Sequence, residues 1–170
     1  MYIQLNNIHT FVHTNIVCEM KIEEIIKSKS ALNIEKRTVL NIMYTQNVIA
    51  DKFNELLKSF DLSSEQFNVL RILRGQKGKP ANMCVIQERM IAKTSNTTRL
   101  VDKLLLKGLV NREVCEINRR KMEVTITEKG LQLLEELDPK IEAHELLFAN
   151  NLSEKEQEQL NNLLEKYRTI

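Results

Sequence analysis

Five cations carry the most informative chemistry of this chain. Arg99 and Lys103 lie in the segment IAKTSNTTRLVDKLLLKGLVNR, and Arg119, Arg120 and Lys121 lie in the turn of EVCEINRRKMEVTITEKG. The block from Asn82 to Gly130 orders them as two short amphipathic helices followed by two strands joined through a basic turn. One helix of that size can enter a DNA major groove while a basic turn beside it reaches the minor groove. Taken singly, Arg99 and Lys103 read as a solvated helix face, and the Arg119–Lys121 run as a charged turn that keeps a hairpin soluble. Their succession within one block favours contact with a polyanion.

Other chemistries find less support. His9 and His13 are spaced i, i+4, but no nearby Cys, Asp or Glu completes a metal site and His144 is distant in sequence. No carboxylate pair, nucleophile motif, Gly-rich phosphate loop or HExxH appears, so neither catalysis nor a metal or other cofactor is expected. Cys18, Cys84 and Cys115 form no CxxC pair and no disulfide framework, which suits a reducing compartment. A thiol sensor needs an exposed thiolate of low pKa. The preferred reading of these cysteines is a small buried hydrophobe.

The elements that must position the cations are mostly helical. Gly and Pro are scarce and Leu, Ile, Glu, Lys and Asn are common in the 170 residues, a length for one domain or one core with extensions. Residues 71–130 hold 14 Lys+Arg and 6 Asp+Glu, a local charge of +8, against −6 for the remainder. That segregation suggests a polyanion-facing module on an acidic support. No apolar run approaches the roughly 18 residues needed to cross a bilayer, and the N-terminus lacks signal-peptide order, so no membrane partner and a cytoplasmic location are expected.

Residues 1–34 read as an N-terminal extension. Within it, residues 1–19 are either a flexible segment or a misassigned start, since Met20 opens MKIEEII. From Glu35 to Phe60, Val39, Ile42, Met43, Ile49, Phe53, Leu56, Leu57 and Phe60 trace a helical stripe. Ser63 with Gln66 forms a capping box for a helix over 64–74, with Phe67, Leu70 and Leu73 inward. Lys79–Ala81 is a brief strand. Helices follow over 82–90 (Val85, Ile86 and Met90 inward) and 95–107 (Thr97, Leu100, Val101, Leu104 and Leu105 inward), and Gly108 ends the latter in a left-handed turn. Val110, Arg112 and Val114 alternate, as do Met122, Val124 and Ile126. Thr127 caps a helix carrying Leu131, Leu134 and Leu137, which Asp138-Pro139 should kink or restart. Ser153 with Glu156 opens a last helix bearing Leu160, Leu163, Leu164 and Tyr167.

The segments LSSEQFNVLRIL, TSNTTRLVDKLLLKGLVNR, INRRKMEVTITEKG and LSEKEQEQLNNLLEKYR, in that order, resemble the MarR family of bacterial winged helix-turn-helix regulators. The resemblance runs from about Glu35 to the C-terminus. It implies a mainly α fold with a small β-hairpin wing. A dimerisation helix over 35–60 and C-terminal dimerisation helices over 131–170 would flank a DNA-binding domain over 61–130. It implies a homodimer on an inverted repeat in double-stranded DNA, responsive to a small lipophilic or aromatic effector. By position, Ser95, Asn96, Thr98, Arg99 and Lys103 would face the major groove. Asn pairs with adenine, Arg with guanine, and Ser or Thr with phosphate or base. Arg119, Arg120 and Lys121 fall on the wing, and Arg120 takes the place of the minor-groove arginine. Asn118 departs from the acid common in the family, which puts the rigidity of the wing tip in question. The family's effector position maps onto Met43, Asn47, Ile49 and Phe53, with Phe67 and Leu70 opposite; plain core is the competing reading of the same residues. A winged-helix interaction module without DNA binding, and a thiol-based oxidant sensor, are the alternatives.

Overall fold

The computed structural model describes residues 20–92, 96–115 and 121–169. The chain divides into two compact units, Met1–Asn47 and Val48–Ile170. In the first, a four-residue helix α1 (Ile22–Ile25) precedes the first half of α2 (Ile34–Lys58). Arg37 of α2 reaches Glu23 of α1 at 3.6 Å. Helix α1 leaves no periodic signal in the sequence, because KIEEII is too short for helical periodicity to register.

The second unit continues with the end of α2, then α3 (Ser64–Arg74), β1 (Ala81–Asn82), α4 (Met83–Arg89), α5 (Thr97–Leu106), β2 (Val110–Val114), β3 (Met122–Ile126), α6 (Glu128–Ala149) and α7 (Glu154–Tyr167). The strands form one antiparallel sheet in the order β1-β3-β2. Val110 pairs with Ile126 and Val114 with Met122, while β1 adds Ala81 opposite Val124. The wing is therefore a hairpin with a third, two-residue strand on its outer side. Its pairing fastens the start of α4 to the sheet.

Local chemistry sets most boundaries. Ser63 accepts the Gln66 amide at 3.2 Å and Gln66 Oε1 accepts the Ser63 amide at 3.1 Å, satisfying two donors at the start of α3. Such a cap contributes about 1 kcal/mol. Asn82 accepts the Val85 amide at 3.1 Å at the start of α4. At the end of α5, Gly108 adopts φ +69°, and the Leu109 amide donates to the Leu104 carbonyl at 3.0 Å. The Gly108 amide reaches the Leu105 carbonyl at 2.9 Å, which completes a Schellman turn.

The core gathers one face from each element: Leu57, Phe67, Leu70 and Leu73, Ile86, Val101 and Leu104, Val110 and Val124, and Leu134 and Leu137. Each such aliphatic side chain contributes about 1.5–3 kcal/mol by leaving water. Of the kink or restart expected at Asp138-Pro139, the restart does not occur: helix α6 is continuous through Pro139. Leu134 and Leu137 before the proline are fully buried, and Ile141 after it packs on the same core. Arg74 of α3 also grips Asp138 through two bonds of 2.7 and 3.0 Å. This packing on both sides offsets the lost backbone bond.

Candidate nucleic-acid interface

Helix α5 has one buried face and one open face. Thr97, Val101 and Leu104 are buried, whereas Thr98, Arg99 and Lys103 are exposed, as is Asn96 at the N-cap position. Leu105, expected inward, is exposed, because one residue past Leu104 turns it about 100° off the core face. Ser95, Arg119 and Arg120 lie outside the described residues, as do Asn118, Cys18, His9 and His13. Lys121 is exposed at the start of β3, and its carbonyl accepts the Cys115 amide at 2.9 Å.

Three contacts brace α5, and of these the sequence signals only the capping role of Thr127. Asp102, between Arg99 and Lys103, forms an ion pair with Arg112 of β2. The pair fixes the helix to the strand that leads into the wing, and it neutralises an acid on a face otherwise bearing cations. Lys107 binds Asp61 through both the backbone carbonyl and the carboxylate, the latter at 3.0 Å. Thr127 caps α6 by accepting the Gly130 amide at 3.1 Å while its hydroxyl donates to the Gly108 carbonyl at 2.8 Å. The signal for the first pair was faint. Gly108 folds the chain back between Asp102 and Arg112, but only a three-dimensional turn brings their charges together.

A cavity of about 250 Å³ opens beside α3, walled by Phe53, Phe67, Asn68 and Arg71 and by Met90, Ile91 and Ala92 after α4. The rings of Phe53 and Phe67 meet edge to face at 5.5 Å, and the Arg71 guanidinium lies 5.9 Å from the Phe67 ring centre. Glu65 also lines it. A hydrogen bond from Ser63, followed by the Glu65 backbone amide, holds its carboxyl below the usual range. The contribution of this bond to stability is present above the unfolded-state value and is lost as pH falls through the folded one. Of the residues expected at an effector site, Phe53 and Phe67 line this cavity. Leu70 is fully buried in the core, on the inward face of α3 that it shares with Phe67 and Leu73. Met43 and Asn47 are exposed residues of the other compact unit.

Cys115 is buried as expected, but Cys84 is exposed. Ile86 and Met90 turn the inner face of α4 to the core, and two residues before Ile86 the chain faces water. His144 packs between the rings of Phe53 and Phe148, each at 5.3 Å. Among the described residues no cluster of His, Cys, Asp or Glu could hold a metal ion, and no helix is long and apolar enough to cross a membrane.

Comparison with known proteins places this geometry in context. The MarR family profile matches residues 62–122. The transcriptional repressor MprA of Escherichia coli strain K12 is 27% identical over 117 residues, 68% of this chain and 66% of its own length. The chain thus spans just under two thirds of that relative. The repressor IacR of Pseudomonas putida is 34% identical over 125 residues, 72% of this chain and 69% of its own. Among solved structures, MepR of Staphylococcus aureus in complex with DNA superposes with a TM-score of 0.68 at 24% identity, over 81% of this chain and 97% of that one. The organohalide-sensing regulator RdhR-CbdbA1625, bound to 2,4-dichlorophenol, gives 0.74 at 19%, over 81% of each chain. At these identities the two structures establish likeness of fold.

Proposed function

This chain belongs to the MarR family, and we propose that it is a sequence-specific DNA-binding transcriptional regulator, a repressor whose hold on an inverted-repeat operator is set by a small ligand. The observation that carries the reading is α5, with Thr98, Arg99 and Lys103 exposed on a helix whose other face is sealed in the core and whose Asp102 is tied to Arg112 of the wing. A rigid helix with a hydrogen-bonding outer face is what major-groove readout needs. Arg119 and Arg120 complete the reading as the wing's minor-groove contact, and Ser95 and Asn96 as contacts at the entry of the helix. Nothing in this arrangement calls for catalysis, and the fitting compartment is the cytoplasm, where the DNA is.

The working unit is a homodimer. Helix α7 buries none of its residues within the chain, and Leu160, Leu163, Leu164 and Tyr167 are exposed along it. A 14-residue helix with no packing of its own is marginal in water, so a second copy is the natural cover for this face. The cavity beside α3 is the effector site. An aromatic ring would lie against Phe53 and Phe67, and a phenolate or carboxylate would meet Arg71. The chlorophenol of the organohalide sensor is a ligand of that class. Met90, Ile91 and Ala92 then couple the site to α5, because the connector they begin leads directly into that helix.

The test contrasts two exposed cations. Arg99→Ala should weaken binding to the cognate duplex by about tenfold or more, a loss of about 1–3 kcal/mol, and relax preference at one base pair. Lys103→Ala should weaken all sequences alike and lower the salt slope by about one unit. Equal, sequence-blind losses for both variants would remove Arg99 from base readout.

A further inference from the structure

We propose a second anion site on this chain, a cleft that binds a small polyvalent phosphate and shares one lysine with the DNA-reading face. The cleft encloses about 600 Å³ and is lined by Asn54 and Lys58 of α2, Asp61, Gln66 of α3, and Lys103 and Lys107 at the end of α5. Three ammonium groups face one carboxylate, and that carboxylate is already held by Lys107 at 3.0 Å. Lys58 and Lys103 have no ion-pair partner among the described residues. A concave surface with this balance concentrates anions.

Gln66 supplies the second, independent observation. It is only 5% exposed, and its Oε1 is committed to the Ser63 amide at 3.1 Å. The side chain lines the cleft, and the amide nitrogen at the other end of the same group is not sealed from solvent. That NH₂ is a donor held in place by the capping bond at the other end of the group, and an oxyanion seated among the lysines would accept from it. The donor set points to phosphate rather than carboxylate. It consists of dispersed ammonium and amide donors with no guanidinium, and a planar carboxylate is best met by the arginine fork. A tetrahedral polyanion accepts from several directions at once.

The consequence for regulation rests on the DNA reading above. Lys103 cannot neutralise a DNA phosphate and a bound anion at once, so the two ligands compete. Inorganic pyrophosphate is the probe, titrated calorimetrically into the full chain without DNA at ionic strength balanced with chloride. One saturable site per chain is expected, weakened about tenfold or more by Lys58→Ala, a change on an exposed side chain that leaves the fold intact. Pyrophosphate at about ten times its own Kd should then weaken the cognate duplex up to about tenfold in the parent chain. It should have no such effect in Lys58→Ala, whose duplex affinity is otherwise unchanged. Absence of saturable binding, or binding that survives Lys58→Ala, would overturn the site. So would weaker duplex binding by Lys58→Ala without pyrophosphate, which would make the cleft a DNA backbone contact. Saturable, Lys58-dependent binding in a chain that binds no duplex would uphold the site and refute the DNA reading instead.

Discussion

On the proposed homodimer, Leu163→Asp will convert the protein from dimer to monomer at micromolar concentration and lower its affinity for the cognate duplex by about a hundredfold or more. The side chain is 56% exposed on α7, where no residue is buried within the chain. A carboxylate there costs the single chain almost nothing, since it already faces water. Across a packed apolar interface the same carboxylate would be unpaired and desolvated in both copies, and such groups cost several kcal/mol each. Two half-sites held together gain about 10²–10⁴ over one, because the second contact becomes intramolecular. The loss in DNA affinity therefore follows from the lost partner with every DNA-facing residue intact. Sedimentation and circular dichroism separate the outcomes: a folded monomer with weak binding is expected, and a folded dimer would place the interface elsewhere.

Gly130→Val will destabilise the chain by about 3 kcal/mol, the size of a severe packing error. Glycine inside a helix is ordinarily a weakness, and replacing it often stabilises. Here the backbone at the start of α6 passes so close to the strands that a Cβ on Gly130 would stand 2.8 Å from Ile126 Cγ1, and closer still to the Leu109 carbonyl oxygen. The carbonyl belongs to the turn that Gly108 opens and Thr127 closes, so it cannot retreat without breaking the joint between α5, the wing and α6. The midpoint of urea unfolding should fall with its slope unchanged. An unchanged or raised midpoint would show that the close approach does not constrain the joint.

What the sequence disclosed divides by range. The caps of Ser63 with Gln66 and Ser153 with Glu156, and the left-handed stop at Gly108, were all legible, because each is set by residues within one helical turn. The apolar stripe of α5 was legible up to Leu104. The charge partners were not. Asp102 and Arg112 are ten residues apart and Lys107 and Asp61 forty-six apart, and nothing periodic links such positions. The continuity of α6 at Pro139 is hidden for a related reason: the local penalty of a proline is fixed, while the packing of Leu134, Leu137 and Ile141 that offsets it is tertiary. Cys84 and Leu105 show the same limit on single helix faces. A rotation of about 100° per residue decides between water and core, and a short helix gives too few residues to fix that phase from sequence.

The central claim, a dimeric reader of DNA sequence, is tested most directly by selection from a pool of random duplexes followed by sequencing, at two salt concentrations. An enriched inverted repeat is expected, with half-sites centred one duplex turn apart, roughly 34–36 Å, bound more weakly at the higher salt. Failure to enrich any motif at either salt, or enrichment of isolated half-sites alone, would contradict it.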